Sequence, residues 1–218
     1  MLSQTEENYL KAIYSVGLSN PKSVNTTLIA KKIKTKPSSV TDMIKKLAEK
    51  ELVNYEKYKG VILTQSGKKI AIEIIRKHRL WEVFLVNKLN YNWDEVHDIA
   101  EQLEHIKSDT LVCRLEEFLD FPKHDPHGDP IPDENGNIAH HKKVMLSSVE
   151  PNTNCIVIGV KDSSSSFLNY LDNANIKLGC TLKVVAKEAF DNSMLIENGT
   201  ISISISHQIS KNLFVKNI

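Results

Sequence analysis

The chain has 218 residues, 41% hydrophobic and 25% charged, with a net charge of +1, which is typical of a cytoplasmic globular protein of two modest domains. We do not expect a membrane protein, because the chain lacks an apolar run of ~20 residues, or a secreted protein, because it lacks a signal-peptide pattern. A zinc site of cysteine thiolates is not expected either, because the three cysteines are scattered. The net charge is +6 for residues 1–75, −4 for residues 76–125 and −1 for the remainder. This distribution indicates a polyanion partner for the N-terminal part of the chain and a cation site in the middle.

Apolar residues at helical spacing predict two helices at the front of the chain. The first covers residues 4–16, and the second is the segment TTLIAKKIKT, in which we expect Leu28, Ile29 and Ile33 to face inward. A third helix is predicted from Pro37, because proline is favoured in the first turn of a helix. The segment VNYEKYKGVILT then has the pattern of a β-hairpin, with β-forming residues on both sides of a Lys-Gly pair.

This order of elements is typical of a winged helix-turn-helix. In such a module the third helix enters the major groove of DNA, and the hairpin, or wing, contacts phosphate. A lysine-rich helix taken alone is more often a solvated surface, and the ordered set of elements favours DNA binding. The expected DNA contacts lie on the third helix and the wing: Lys36, Ser38, Ser39, Thr41, Lys45, Tyr55, Lys57 and Lys59.

The middle of the chain crowds six potential metal ligands onto two predicted helices. The first two ligands lie on a long helix after the wing, and the other four on a helix opened by Trp93 and Asp94. The six are His78, Glu82, His97, Glu101, Glu104 and His105. Offsets of three and four residues stack side chains on one helix face, so that two such helices would direct imidazoles and carboxylates into one space. This ligand set suits manganese or iron better than zinc in a thiolate cage.

Two alternatives compete with a metal-sensing regulator. Glu and His are common on solvated helix faces, so the DNA-binding protein could respond to something other than a metal. A metalloenzyme is the second alternative, and neither a ferritin-like Glu-x-x-His pair nor a zincin His-Glu-x-x-His motif is present in the sequence.

The last third of the chain has a β pattern. Runs such as CIVIGV, TLKVVA and TISISISH follow a turn-rich, proline-rich stretch and predict a small β-barrel or sandwich of about five strands. The predicted fold class is mainly α with a smaller β part. The predicted division is 1–70 for a winged helix-turn-helix DNA-binding domain, 71–139 for a helical metal-binding and dimerisation domain, 140–150 for a linker and 151–218 for the β domain.

The chain resembles the metal-dependent repressors of the DtxR/MntR type over nearly its full length. PSSVTDMIKKLAEKELVNYEKYKGVILTQSGKKIA looks like the winged-helix portion of the manganese branch, and RKHRLWEVFL and VHDIAEQLEH look like the two ligand helices. The closing β region is similar to the SH3-like barrel of the longer members. The resemblance implies a homodimer that binds palindromic double-stranded operator DNA when a divalent metal is bound, and that controls metal-uptake genes.

The resemblance also implies two metal sites. For the activating site it implies Glu101, Glu104, His105 and Asn8, and for the second site His78, Glu82 and His97. Longer manganese-type members add a Cys-Pro-His-Gly motif and an acid of the SH3-like domain. These correspond to Asp125, His127 and Asp162 here. A metal in the activating site would dock the first helix onto the second ligand helix and so set the spacing of two recognition helices.

The sequence departs from the family pattern at the expected metal sites. Asn8 is a neutral amide where Asp or Met is usual, and serines replace Glu and Gln ligands of the iron-type SH3 region. Lys11 stands where a manganese-type member places a ligand Glu, which argues against a close binuclear pair. Glu101 stands where iron-type members have Cys, and this harder ligand favours Mn(II) over the alternative, Fe(II).

Overall fold

The computed structural model describes residues 2–19, 23–56, 59–139 and 143–218. The chain divides into two compact units. Unit 1 comprises residues 1–78, 101–112 and 132–138, and unit 2 comprises residues 79–100, 113–131 and 139–218. The predicted four-part division of the chain stays a prediction.

Unit 1 contains the expected helix-turn-helix and wing. Its elements are α1 (Gln4–Ser19), α2 (Thr26–Ile33), α3 (Pro37–Glu49), β1 (Val53–Glu56), β2 (Gly60–Leu63) and the start of α4 (Gln65–Leu89). The side chain of Asn25 caps α2 by accepting a hydrogen bond from the Thr27 amide at 2.7 Å. Pro37 occupies the first turn of α3, as predicted.

The core of unit 1 lies between α1, α2, α3 and the wing. Leu10 of α1, Ile29 of α2 and Ile44 of α3 are fully buried within it. The expectation that Leu28 faces inward is wrong, because this side chain is 42% exposed. Successive helical residues are about 100° apart, so Ile29 and Ala30 take the buried face and Leu28 turns to solvent.

The wing is a two-stranded antiparallel hairpin that pairs Val53 with Leu63 and Glu56 with Gly60. Gly60 has a φ of +99°, and a Cβ atom there would lie 2.6 Å from the carbonyl oxygen of Val24. A glycine is therefore required for the wing to approach the segment before α2.

The second of the two ligand-bearing helices is shorter than the sequence pattern predicts. α4 covers Gln65–Leu89 as expected, but α5 covers only Val96–Leu103, and α6 covers Asp109–Phe118. The expectation that Trp93 and Asp94 open α5 is wrong. Both side chains instead form hydrogen bonds with the later helix α7 (Ser165–Asn173). Trp93 donates one at 2.9 Å, and Asp94 accepts one at 3.0 Å.

The expectation that Glu104 and His105 lie in a helix is also wrong. They occupy the turn after α5, which closes with a hydrogen bond from the Ile106 amide to the Leu103 carbonyl at 3.1 Å. This is a three-residue spacing, which is tighter than that of an α-helix. Glu101 remains within α5.

The C-terminal part of unit 2 is an antiparallel sheet with the order β3-β8-β4-β5-β6-β7, which is consistent with the expected SH3-like domain. Its elements are β3 (Val144–Met145), β4 (Thr153–Val160), α7 (Ser165–Asn173), β5 (Thr181–Lys187), β6 (Met194–Asn198), β7 (Ile201–Ile205), α8 (His207–Ser210) and β8 (Leu213–Asn217). The sheet has six strands where about five were expected. Leu146 and Val149, in the segment expected to be a linker, are buried in the core of this sheet.

Candidate metal centres and DNA-binding surface

Unit 1 brings a lysine of α1 onto the carboxylates expected to bind metal. Lys11 donates hydrogen bonds to both carboxylate oxygens of Glu104, at 2.7 and 2.8 Å, and to Glu101 at 3.4 Å. We call this arrangement, together with three neighbouring side chains, the lysine cluster. Its members are Glu7, Lys11, His78, Glu101, Glu104 and His105.

Two histidine–glutamate pairs complete the lysine cluster. His78 Nδ1 donates to Glu104 Oε2 at 2.6 Å, and His105 Nδ1 donates to Glu7 Oε2 at the same distance. The Glu104 side chain is fully buried, yet its pKa is lowered. Burial alone would raise that pKa, but the hydrogen bond from His78 and the charge of Lys11 outweigh it. Glu104 is therefore held as a compensated carboxylate.

Asn8 lies on α1 one turn before Lys11. Its Oδ1 atom is buried, and no hydrogen bond to it is found within the described part of the chain. A buried oxygen of this kind is an acceptor that a cation or a donor could use. Asn8 is thus the expected ligand whose side-chain oxygen is not already engaged by a described protein group.

Unit 2 forms a second cluster from different elements. Glu82 of α4 accepts two ion-pair contacts at 3.6 Å, from His97 Nδ1 on α5 and from His127 Nδ1 on the loop after α6. Donor atoms of Glu82, Asp125 and His127 all lie within 4.8 Å of one another. These four residues, Glu82, His97, Asp125 and His127, are called the acid–histidine cluster. His97 is its half-exposed member, and the other three are buried.

The loop that carries Asp125 and His127 is held by its own backbone. Asp125 Oδ1 accepts hydrogen bonds from the amides of His127 and Asp129, at 2.8 and 2.9 Å. Gly128 has a φ of +83°, and a Cβ atom there would collide with the carbonyl of Ile158 on β4. The loop is therefore positioned before any ligand binds.

The charged groups of the acid–histidine cluster shift one another's pKa values. Burial, together with the negative charges of Glu82 and Asp129, raises the pKa of Asp125 to about 6. Burial opposes protonation of His127, but the hydrogen bond and charge of Glu82 raise its pKa to about 9. Arg79 contacts Asp125 and offsets part of the negative charge at 3.4 Å. Ligand atoms of the two buried carboxylates, Glu82 and Asp125, thus lie within 4.8 Å of each other.

The acid–histidine cluster fits a divalent cation. His127 Nε2 donates to the carbonyl oxygen of Trp93 at 2.9 Å, and this bond turns Nδ1 toward Glu82. A histidine held through one nitrogen in this way presents the other as a ligand. Buried carboxylates with imidazole nitrogens are the donors that first-row divalent metals take.

The expected DNA-binding surface is largely exposed. Lys36, Ser38, Ser39 and Lys45 are exposed on or just before α3, and Thr41 is partly buried. On the wing Lys59 is exposed, with Glu56 2.6 Å from its ammonium. Tyr55 packs against the core of unit 1, and Lys57 lies outside the described residues.

Comparison with known proteins identifies the family. Three family descriptions match the chain in succession: the iron dependent repressor N-terminal DNA binding domain at residues 1–61, the iron dependent repressor metal binding and dimerisation domain at 64–133, and the FeoA domain at 144–217. The regulator MntR of Oceanobacillus iheyensis is 32% identical over 148 residues, which are 68% of this chain and 93% of that protein. The chain belongs to the iron-dependent repressor family.

Other relatives agree with this assignment. An HTH-type transcriptional regulator of Methanocaldococcus jannaschii is 40% identical over 119 residues, or 55% of this chain and 95% of that protein. A solved manganese-dependent transcriptional repressor in complex with manganese is 33% identical, with a TM-score of 0.85 over 98% of this chain and all of that one. The protein is thus a metal-dependent transcriptional repressor of the MntR/IdeR type and not an enzyme. No helix in its described part has the length and apolarity of a membrane span.

The structure of this repressor places the expected ligands in two groups. The lysine cluster takes His78, Glu101, Glu104 and His105, with Asn8 beside it on α1. His78 also offers a ligand atom within 4.8 Å of those of Glu82 and His97, the other two residues expected at the second site. The acid–histidine cluster takes Glu82, His97, Asp125 and His127. Asp162 is in neither group; its Oδ1 accepts the Ser164 amide at 2.9 Å in the turn before α7. Which of these residues bind metal stays a prediction.

Sequence reasoning missed Glu7, which binds His105 in the lysine cluster, and Arg79, which contacts Asp125 of the acid–histidine cluster. It identified Lys11 as a departure from the family pattern and not as a partner of the carboxylates. The position of Glu7, one helical turn before Lys11, is the one signal that could have drawn attention to it. Arg79 follows His78 directly and carried no signal of its own.

Proposed function

We propose that this repressor binds Mn(II), and that the metal-loaded homodimer binds palindromic operator DNA in the cytoplasm and controls metal-uptake genes. The acid–histidine cluster is the observation that supports metal binding. Ligand atoms of its buried carboxylates and imidazole lie within 4.8 Å of one another. Buried carboxylate oxygens and imidazole nitrogens that converge in this way form a donor set for a divalent cation.

The candidate ligands at this site are Glu82, His97, Asp125 and His127. A divalent cation held by them supplies the positive charge that offsets the two carboxylates. The protein groups do the positioning, since backbone amides fix Asp125 and the Trp93 carbonyl orients His127. Exposed His97 lies at the side from which an ion can enter.

The ligand chemistry supports manganese. Asp125 provides a hard oxygen where manganese-type relatives place a cysteine sulfur, and none of the other candidate ligands is a thiol. Carboxylate-rich sites suit Mn(II), and affinity alone would favour later metals. The manganese-bound relative at a TM-score of 0.85 supports the same choice. Fe(II) is the alternative, favoured by the iron-dependent description of the matching family.

The DNA part of the proposal rests on α3 and the wing. Residues 1–75 carry a net charge of +6, and Lys36 and Lys45 are exposed at the helix expected to enter the major groove. Metal can act on this module through α4, which begins two residues after β2 and carries Glu82. An ion bound by Glu82 therefore biases a helix that continues directly from the wing.

The homodimer part rests on exposed apolar side chains of unit 2. Phe118 is 60% exposed and packs against Phe84 at a ring distance of 6.3 Å, while Leu89 and Phe121 are about half exposed. The family description of a metal-binding and dimerisation domain covers this segment. Exposed aromatic residues of this kind are typical of association surfaces.

Selection from a random duplex library tests the proposed function. The purified protein would be incubated with the library in Mn(II), and the selected duplex would then be titrated by fluorescence anisotropy with Mn(II), with anaerobic Fe(II) and with a chelator. We expect binding with Mn(II), a palindromic selected sequence and little binding in the chelator. Equal binding in the chelator would refute metal dependence, and activation by Fe(II) alone at matched free metal would replace manganese by iron.

A further inference from the structure

We propose that the Lys11 ammonium takes the place of a divalent cation in the lysine cluster, so that each protomer binds one regulatory metal ion, at the acid–histidine cluster. This inference rests on the proposed function, because it assigns the metal of that function to one of two ligand groups. It makes Lys11 the residue that sets the number of metal ions per protomer.

The first argument is the position of the ammonium. Lys11 Nζ lies 2.7 and 2.8 Å from the two oxygens of Glu104 and 3.4 Å from Glu101, so its three donors are matched by three carboxylate oxygens. The lysine side chain is only 15% exposed, and that of Glu104 is fully buried. A buried, fully paired ammonium is a fixed part of the structure and not a mobile counterion.

The second argument is the engagement of Glu104. Both of its oxygens accept from Lys11, and Oε2 also accepts from His78 at 2.6 Å. A divalent ion would have to displace the ammonium from these oxygens, since two cations cannot share one carboxylate pair without strong repulsion. Asn8 adds no negative charge that would favour the exchange.

The third argument is that α1 is held without a metal. Lys11 joins α1 to Glu104, and Glu7 of the same helix accepts from His105 at 2.6 Å. The opposite face of α1 buries Leu10 and Ile13 in the core of unit 1. The bridge that a metal was expected to make between α1 and the second ligand segment is thus made by protein groups.

Removal of the ammonium should turn the lysine cluster into a metal site. Without Lys11 the carboxylates of Glu101 and Glu104 lose their cation, His105 remains beside them, and Asn8 Oδ1 offers a buried oxygen with no described partner. Two carboxylates, an imidazole and an amide oxygen form a donor set for Mn(II). Lys11→Met is the substitution that tests this, since it removes the ammonium and keeps an unbranched side chain that is one atom shorter.

The experiment counts Mn(II) ions per protomer in the full-length protein. Apoprotein would be equilibrated with Mn(II), and the bound metal would be measured by calorimetry and by elemental analysis after gel filtration. We expect one ion for the wild type, none for Glu82→Gln, two for Lys11→Met and one for the double variant. Lys50→Met is the matched control with one ion, because Lys50 pairs with Glu6 of α1 and not with the metal candidates.

The outcomes separate this inference from the proposed function. Two ions on the wild type, or one ion retained by Glu82→Gln, would overturn the role of Lys11 and leave manganese dependence standing. One ion on folded Lys11→Met would overturn it as well. No ion on the wild type would remove the proposed function and this inference together. The wild-type and Glu82→Gln measurements decide the question even where Lys11→Met does not fold.

Discussion

The two clusters of this repressor use the same residue types and differ in one ingredient. In the lysine cluster a buried carboxylate, Glu104, meets an ammonium and has a lowered pKa. In the acid–histidine cluster a buried carboxylate, Asp125, has other carboxylates as neighbours, and its pKa is raised to about 6. The comparison shows that the presence of Glu and His does not by itself make a metal site. The charge that the protein has already supplied decides whether a cation is needed.

The difference also separates two tasks. The ion pairs of the lysine cluster lie within unit 1 and hold α1 in place, so they serve the structure of the DNA-binding unit. The acid–histidine cluster lies within unit 2 and brings ligand atoms of two buried carboxylates and an imidazole within 4.8 Å of one another. A buried ion pair completed by the chain is constant, whereas an incomplete one depends on what the solution provides.

The largest effect is expected from breaking the lysine cluster. Lys11→Met leaves buried Glu104 without its cation and should lower the free energy of unfolding of the apoprotein by about 3–5 kcal/mol. Urea denaturation in chelator measures this loss. Lys50→Met, whose lysine is 45% exposed, should cost at most about 1 kcal/mol. The double variant Lys11→Met/Glu104→Leu should recover much of the loss, and failure to recover would show that Lys11 does not act through Glu104.

The next effect concerns the acid–histidine cluster. Glu82→Gln removes the carboxylate that both histidines contact, and Mn(II) affinity measured by calorimetry should fall by more than the roughly 10–100-fold typical of losses around a metal site. Glu101→Gln in the lysine cluster is the matched change and should leave Mn(II) affinity nearly unchanged. Equal losses in the two variants would abolish the distinction between the clusters.

A smaller effect is expected at the surface proposed for dimerisation. Phe118→Glu places a charge on a 60% exposed ring position of unit 2 and should weaken self-association by at least about tenfold, or ~1.4 kcal/mol. Sedimentation velocity over a range of protein concentrations measures the change. Phe190→Glu, at a fully exposed ring of the β domain, serves as the control. An unchanged dimer in Phe118→Glu would place the interface elsewhere.

The smallest effect is expected at the DNA surface of unit 1. Lys45→Ala should weaken operator binding a few-fold and reduce the slope of log affinity against log salt by about 1, because one phosphate contact is lost. Anisotropy titrations at several salt concentrations, with saturating Mn(II), provide the slope. Lys177→Ala, an exposed lysine of unit 2, is the comparison and should leave the slope as it is. A slope unchanged by Lys45→Ala would remove this lysine from the interface.

Local patterns in the sequence were sufficient for most of the secondary structure. The helix from Pro37, the wing and the long helix α4 follow from residue spacing and turn chemistry, which act over a few neighbouring residues. The family resemblance added the order of the domains and the candidate ligands. The pattern failed at Leu28 and at the ends of α5, where packing and side-chain contacts with distant residues set the outcome.

Only the tertiary structure decided which candidate ligands are already paired. Lys11 and Glu104 are 93 residues apart, and no local rule predicts that the ammonium of one reaches the buried carboxylate of the other. Asp125 likewise becomes a buried acid only because its loop packs against β4 and faces Glu82. The physical reason is that residue type sets which charges a chain can offer, while burial and distance set which of those charges remain unbalanced.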